Sequence, residues 1–389
     1  MRIQRLMMIF FTAITIRIAR PFNLPLSANR PPALLRSLSC TRLFSSAKPT
    51  VCFLGTPEVA ASCLEKLQRK GAADFDITCV VTQPARPAGR KKKLTPTPVQ
   101  TLAETFPAMK ILTPENAKNE TFLEELEALE PDLCVTAAYG CYLPKRFLKI
   151  PKLGTVNIHP SLLPRWRGAS PVQRSLEAGD TQLGVTVLYT VSAMDAGPII
   201  SQVSRPNDDV KGASQELEEL FDLGTEELLK ALPSIFSGQI TFDTAAEQDE
   251  EQVTKAKMIG KDEAILDFST MGAVEVHNRA RGLEMWPGTY FYFYLEEDDA
   301  SSKTLKKVKV GKSAVISNTE RATDLIGSEL TLLKGKGAGL GVLLADGSAL
   351  ELFTVQPEGK KMMDAKSFVN GLGGKKVLWA IPPPQPESI

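Results

Sequence analysis

The chain has 389 residues, of which 43% are hydrophobic and 23% are charged, the composition of an ordinary globular protein with room for two or three domains. A formal net charge of +1 excludes a protein that attracts polyanions through its whole surface. Six cysteines without a CxxC pair and two histidines far apart in the chain argue against a zinc site, and we predict no bound metal.

The first 57 residues contain no acidic residue, whereas eight Arg and Lys residues are spread through them. The apolar stretch from Leu6 to Ile16 is too short to cross a bilayer, so we predict no membrane anchor. A secretory signal has an apolar core of this length, but here the arginines continue to Arg42 and no small-residue cleavage site follows the apolar stretch. The pattern is typical of a transit peptide, which we place at residues 1–48, and it favours the mitochondrial matrix over a plastid.

Strands and helices alternate from Val51 onward. VCFLG is an apolar run that ends in a glycine, and Pro57 opens an amphipathic helix. Further apolar runs at 76–82, 133–138 and 184–190 are separated by helical segments. Repeated strand and helix units predict an α/β, Rossmann-like fold with a mostly parallel sheet over residues 49–238. Dinucleotide binding is disfavoured because GTPEVAAS lacks the GxGxxG spacing.

A basic loop with four prolines and no acidic residue runs from Gln83 to Pro98. Without the eight basic residues of the predicted targeting segment, the chain has 38 basic and 45 acidic residues, a net charge of about −7. Contact with nucleic acid therefore needs a local basic patch. This loop is either a solvated charged loop or an arm that contacts phosphates. Its cationic residues are Arg86, Arg90, Lys91, Lys92 and Lys93.

Asn157 and His159 lie two residues apart at the end of a predicted strand, and Asp195 follows the next strand. Residues i and i+2 of a strand share a face, so the amide and the imidazole project into one cleft at the carboxyl ends of the strands, where such sheets bind ligands. An amide donor can stabilise an oxyanion, an imidazole can move a proton, and a carboxylate can fix its tautomer. The trio predicts acyl transfer; the alternative is a buried polar cluster without catalytic function.

The character of the chain changes after Ser237. Residues 239–256 are polar and acidic and predict a linker. Residues 257–377 contain short strands separated by glycine turns and predict a small β-barrel domain. Lys306, Lys307, Lys309 and Lys312 form either a basic RNA-binding face or a lysine-protected strand edge. Residues 378–389 predict a disordered tail.

Six stretches carry a specific resemblance: TQPARPAGRKKK, AAYG, VNIHPSLLPRWRGASPVQRS, GVTV, MDAGP and QPEGKKMM. They resemble the methionyl-tRNA formyltransferases of the folate-dependent formyltransferase family over essentially the whole chain after the targeting segment. NIHPSLLP followed by D-x-G is specific to the family but not to one acceptor, and the basic loop and second domain narrow the resemblance to the tRNA enzymes. Ala85 departs from the pattern, since relatives often carry an acidic residue there.

The resemblance implies that Asn157 holds the oxyanion, that His159 handles protons and that Asp195 orients His159. It implies formyl transfer from 10-formyltetrahydrofolate, as co-substrate, to the α-amino group of initiator methionyl-tRNA for organellar translation initiation. The second domain is then an OB-like, tRNA-binding β-barrel, the basic loop contacts the tRNA, and we expect a monomer. The implied folate pocket consists of Tyr139, Gly140, Cys141, Tyr142, Leu143, Ser161, Leu162, Leu163, Pro164, Val191, Ser192, Ala193 and Met194.

Two other functions remain open at this point. A related folate enzyme could use a small-molecule amine as acceptor, or water as a hydrolase, and would share the Asn, His and Asp residues. A non-catalytic RNA-binding or folate-binding module would have no need of all three. Trp166, between Arg165 and Arg167, could either stack on RNA or cover the floor of the site.

Overall fold

The computed structural model describes residues 48–89, 91–295, 304–317, 322 and 325–384. Apart from Lys48, the predicted targeting segment lies outside the described residues. Arg90 of the basic loop and residues 385–389 of the predicted tail also lie outside them. None of the described helices is long and apolar enough to cross a membrane.

The first domain is built on a mostly parallel seven-stranded sheet, as the alternating pattern predicts. The described strands up to residue 256 are β1 (Thr50–Gly55), β2 (Asp76–Val81), β3 (Arg86–Ala88), β4 (Lys93–Thr95), β5 (Lys110–Leu112), β6 (Leu133–Ala137), β7 (Thr155–His159), β8 (Arg167–Gly168), β9 (Gln182–Tyr189), β10 (Ile199–Pro206) and β11 (Lys255–Ala256). The sheet has the order β10-β9-β7-β6-β1-β2-β5. The five strands from β7 to β5 are parallel, and β9 runs antiparallel to both β7 and β10.

Helices cover both faces of this sheet. They are α1 (Glu58–Gly71), α2 (Pro98–Ala103), α3 (Glu120–Ala128), α4 (Lys145–Leu148), α5 (Pro171–Glu177) and α6 (Ala213–Phe236). Alternation along β1 directs Val51 and Phe53 into a core with α1 and α6, while Cys52 and Leu54 pack with α3 and α4 on the other face.

The packing of α6 decides which face of β7 carries the polar side chains. Gly224 of α6 lies so close to the sheet that a Cβ there would be 2.5 Å from Ile158 and from Val185. Val156 and Ile158 are therefore buried beneath the helix, at 0% and 1% exposure. Because the strand alternates, Asn157 points to the opposite face, where it is partly exposed.

The second domain consists of two antiparallel sheets around one core. Its described elements are α7 (Ala273–Gly282), β12 (Thr289–Leu295), β13 (Lys306–Val310), β14 (Ser313–Val315), β15 (Thr331–Leu332), β16 (Leu340–Leu343), β17 (Ala349–Leu352), β18 (Thr354–Pro357), β19 (Met363–Asp364), α8 (Ala365–Asn370) and β20 (Val377–Ala380). The sheets have the orders β19-β18-β13-β12-β20 and β14-β17-β16-β15. These two sheets agree with the predicted small domain of short strands that follows the first domain. However, β20 extends to Ala380, because it pairs with the aromatic strand β12, so residues 378–380 are ordered rather than part of a disordered tail.

The two domains meet through a buried arginine and a buried histidine on α7. The guanidinium of Arg281 is 3.1 Å from Asp209 Oδ1 and also donates to the backbone oxygen of Lys211. His277 Nε2 donates to the backbone oxygen of Asp209 at 2.9 Å, and its Nδ1 lies 2.9 Å from Ser313 Oγ. Burial lowers the pKa of His277. Burial at this joint therefore favours the neutral form of the His277 imidazole.

Candidate active site

The three predicted catalytic residues lie at or near the carboxyl end of β7. Asn157 and His159 are on the same face of this strand, and Asp195 comes from the turn between β9 and β10. His159 is 4% exposed, and its Nδ1 lies 3.6 Å from Asp195 Oδ1. The imidazole and the carboxylate thus form the predicted pair, at an ion-pair distance rather than a hydrogen-bond distance.

Hydrogen bonds hold the His159 ring, the Asp195 carboxylate and the Asp195 backbone in place. His159 Nε2 is 3.0 Å from the backbone oxygen of Trp166. A carbonyl oxygen only accepts, so Nε2 carries a hydrogen and donates it. Asp195 Oδ2 accepts from the backbone N–H of Gly168 at 2.9 Å, and its backbone oxygen accepts from Gln248 Nε2 at 2.8 Å. Nδ1, the other ring nitrogen, faces the carboxylate.

The backbone oxygen that holds His159 belongs to a residue in a constrained conformation. Trp166 has a φ of +68°, which is costly for a bulky side chain unless neighbours enforce it. Its backbone N–H donates to Thr254 Oγ1 at 2.8 Å and its indole N–H to Asp180 Oδ2 at 2.7 Å. The Arg165 guanidinium lies 4.4 Å from the indole centroid and pairs with both oxygens of Asp180.

The Asp180 carboxylate accepts hydrogen bonds from the Trp166 indole and from two neighbouring side chains. Burial opposes its ionisation, but hydrogen bonds from Arg165, Trp166 and Ser175 outweigh burial and lower its pKa. Arg167 is likewise engaged, with Gln248 and Glu250. The sequence left open whether Trp166 contacts RNA or supports the site, and these contacts favour support. The role of Asp180 was missed, because nothing in its local sequence distinguishes it from a loop carboxylate.

The Asn157 side chain is oriented by a threonine that the sequence analysis did not select. Thr136 Oγ1 donates to Asn157 Oδ1 at 2.7 Å, which leaves the amide N–H groups of Asn157 as its remaining hydrogen-bonding groups. The one sequence signal was a hydroxyl within the apolar run LCVTAA. Asn157 can therefore act as the donor that an oxyanion needs.

The residues of the predicted folate pocket differ widely in exposure. Tyr139 and Leu143 belong to the hydrophobic core around α3 and α4, and burial raises the pKa of Tyr139. Leu163 is 3% exposed, whereas Tyr142 and Met194 are 57% and 67% exposed. The predicted segments thus combine residues that build the walls with residues that can face a ligand.

A cavity of about 600 Å³ lies beside the other end of β7. Its lining includes Thr155, Thr190, Val191 and Ser192, the last two from the predicted folate pocket. The hydroxyls of Thr155 and Thr190 are buried and have no hydrogen-bond partner among the described residues. Thr155 shares a face with Asn157 and lies two residues before it, roughly 7 Å along the strand. A drug-sized molecule fits such a volume.

The predicted basic loop is a short hairpin beyond the carboxyl end of β2. Strands β3 and β4 pair in it, and Thr82 Oγ1 and Thr97 Oγ1 lie 2.7 Å apart at its base. Lys91, Lys92 and Lys93 are exposed. Their side chains make no hydrogen bond or ion pair with any described residue.

The described part of the chain also contains no cluster of His, Cys, Asp or Glu that could hold a metal ion.

Family models and individual relatives both match this chain as a formyltransferase. Residues 48–231 match the family described as formyl transferase, and residues 258–373 match its C-terminal domain. The methionyl-tRNA formyltransferase of Listeria welshimeri serovar 6b is 38% identical over 83% of this chain and 96% of its own length. That of Macrococcus caseolyticus is 35% identical over 82% of this chain and 95% of its own length.

Solved structures show similarity at the level of the fold. An N-formyltransferase from Helicobacter canadensis, in complex with folinic acid and dTDP-3-aminofucose, has a TM-score of 0.56 at 16% identity and covers 79% of this chain and 99% of its own. HypX from Aquifex aeolicus has a TM-score of 0.52 at 15% identity, with 84% and 49% covered.

Proposed function

Because the chain belongs to the formyl transferase family, we propose that it transfers the formyl group of 10-formyltetrahydrofolate to the α-amino group of methionine on initiator methionyl-tRNA. The observation that carries this proposal is the arrangement around β7. An amide whose oxygen is tied to Thr136 lies on the same face as an imidazole that faces the carboxylate of Asp195. The relatives named above are methionyl-tRNA formyltransferases, and this chain is similar to them along nearly their whole length.

The reaction assigns a role to each of these side chains. The neutral amino nitrogen attacks the formyl carbon, and the bond between that carbon and N10 of the folate then breaks. The Asn157 amide donates to the oxyanion that forms in between. His159 exchanges a proton through Nδ1, with Asp195 facing it, so that one proton leaves the attacking nitrogen and one reaches N10. The products are formyl-methionyl-tRNA and tetrahydrofolate.

The cavity at the amino end of β7 includes two residues of the predicted folate pocket, Val191 and Ser192. Its volume of about 600 Å³ suits a molecule with a fused aromatic ring. The predicted segment from Val191 to Met194 runs along the chain from this cavity to Asp195.

Two exposed surfaces support an RNA acceptor. The first is the basic hairpin, with Arg86 and the three lysines that follow Arg90. The second is the outer face of β12 and β13, where Tyr290 pairs with Lys309 and Tyr292 with Lys307. The two rings lie 5.7 Å apart, and Lys307 Nζ is 5.0 Å from the Tyr290 centroid. Aromatic rings beside lysines suit both the bases and the phosphates of RNA.

We also propose that the enzyme acts as a monomer in the mitochondrial matrix, in initiation of translation there. The acid-free, arginine-rich segment at residues 1–48 supports import into an organelle. Fusion of residues 1–57 to a fluorescent protein tests the location. Accumulation in plastids, in secretory vesicles or in the cytosol would each contradict it.

A small-molecule acceptor is the second candidate function, since the Helicobacter canadensis protein of similar fold is described with a nucleotide sugar. The decisive experiment incubates the purified chain from Lys48 onward with labelled formyl-folate and a panel of acceptors. The panel contains methionyl initiator tRNA, glutaminyl-tRNA, the same tRNAs uncharged, and an amino sugar nucleotide. We expect label only on methionyl initiator tRNA. Label on the sugar, or release of formate alone, would reject the proposed acceptor.

A further inference from the structure

We propose that Thr136 is a positioning residue, which sets the orientation of the Asn157 amide so that its N–H groups, and not its oxygen, face the formyl oxygen. The inference rests on the proposed formyl transfer. The family resemblance assigned no role to Thr136. Its hydroxyl acts on the Asn157 amide and does not itself touch the substrate.

The register of two neighbouring strands creates the contact. β6 and β7 are parallel, and Thr136 is the residue paired with Asn157. Paired residues on adjacent strands project to the same side of the sheet, so the hydroxyl lies beside the amide. The distance from Thr136 Oγ1 to Asn157 Oδ1 is 2.7 Å, and the distance to the backbone oxygen of Val156 is 3.2 Å. A hydroxyl has one hydrogen, and the shorter contact is the stronger hydrogen bond.

The chemistry requires one of the two amide orientations. A half-turn of the Asn157 amide exchanges its oxygen with its N–H₂ group. With the oxygen toward the substrate, two electron-rich oxygens would face each other as negative charge develops on the formyl oxygen. With the oxygen bound to Thr136, both amide hydrogens are left for donation. The hydroxyl thus favours the orientation that stabilises the transition state before the substrate arrives.

Packing alone does not account for a threonine at this position. Thr136 is 5% exposed, and the other residues of β6 are Leu133, Cys134, Val135 and Ala137. Valine has the same shape and a comparable preference for strands, and it would need no hydrogen-bond partner in this core. The hydroxyl instead points along the sheet to Asn157, a polar side chain of the adjacent strand that the reaction needs.

The test compares two substitutions that differ in the hydroxyl. Thr136→Val keeps the shape and removes the hydroxyl, and we expect kcat to fall by roughly tenfold with the KM of both substrates unchanged. Thr136→Ser keeps the hydroxyl, and we expect it to retain most of the wild-type kcat. Thr289→Val is the matched control, because Thr289 is a buried strand residue of the second domain whose hydroxyl has no partner among the described residues.

A double-mutant cycle separates positioning from general destabilisation. In an Asn157→Ala background there is no amide to orient, so Thr136→Val should cause no further loss of activity. An equal loss in both backgrounds, or a Thr136→Val enzyme with wild-type kcat, would overturn the proposal. A wild-type enzyme that does not formylate methionyl-tRNA would instead reject the proposed function. The cycle can then be repeated with whichever acceptor takes the label.

Discussion

Two regions near one edge of the sheet differ in how their polar side chains are held. In the catalytic region His159, Asp195, Asn157 and Asp180 all have partners within the chain. In the basic hairpin, Lys91, Lys92 and Lys93 have none among the described residues. Chemistry at a formyl carbon needs donors fixed in advance, whereas recognition of phosphates needs cations that are free to pair with another molecule.

This difference predicts that the two regions affect different measurements. Changes in the catalytic region should lower kcat with little effect on salt dependence. Changes in the hairpin should raise the KM for tRNA and reduce its salt dependence, with little effect on kcat. A hairpin change that lowers kcat alone would remove the distinction.

The largest effect is expected for Asn157→Ala. Loss of the oxyanion donor should lower kcat by roughly 10²–10³-fold, with unchanged KM values and an unchanged midpoint of thermal unfolding. The fall in kcat is measured under saturating formyl-folate and methionyl-tRNA. Activity within a factor of three of wild type would contradict the assigned role.

The next effect is expected when Lys91, Lys92 and Lys93 are all replaced by alanine. We expect the KM for methionyl-tRNA to rise by about 10- to 100-fold at moderate salt, and the slope of log KM against log salt to decrease by up to about 2–3. Arg69→Ala, in the last turn of α1, is the control. An unchanged slope, or an equal rise in the KM for formyl-folate, would remove the hairpin from acceptor recognition.

Asp180→Asn tests whether the support of Trp166 reaches the chemistry. Loss of the charge weakens the Arg165 and indole contacts, so we expect kcat to fall about tenfold and the free energy of unfolding to fall by about 1–2 kcal/mol, since Arg165 is partly exposed. Asp132→Asn is a matched control, because hydrogen bonds from Thr50 and Lys152 outweigh burial and lower the pKa of Asp132 too. It should cost similar stability and leave kcat unchanged. Equal kcat values for the two variants would confine Asp180 to stability.

The smallest effect concerns pH and the joint between the domains. Burial lowers the pKa of His277 below its usual value of 6.5, so below pH 6.5 the unfolded chain binds a proton that the folded chain does not. Stability should therefore fall as the pH decreases from 6.5 toward the folded pKa, by at most about 1.4 kcal/mol per pH unit. Urea unfolding of wild type and His277→Gln between pH 5 and 8 measures this. Parallel curves for the two proteins would exclude His277 as the cause.

Local patterns were sufficient where the physics is local. The apolar runs predicted the parallel sheet, and the spacing of Asn157 and His159 placed both on one face of β7. Asp180, Gln248 and Thr254 support that site from distant parts of the chain, and no periodicity reveals such contacts. The tail prediction began too early for a similar reason, because residues 378–380 are ordered by pairing with β12 and not by their own composition.

The pairing of β8 with β11 also determines where the catalytic domain can be cut. A fragment that stops at Ser237 ends with the last helix that packs on the sheet, yet it loses Gln248, Thr254 and Ala256. Gly168 lies so close to Ala256 that a Cβ there would be 2.4 Å from its backbone oxygen, and the same glycine donates to Asp195. An expression boundary chosen from domain lengths alone would thus remove the floor of the active site, whereas one placed after Ala256 would keep it.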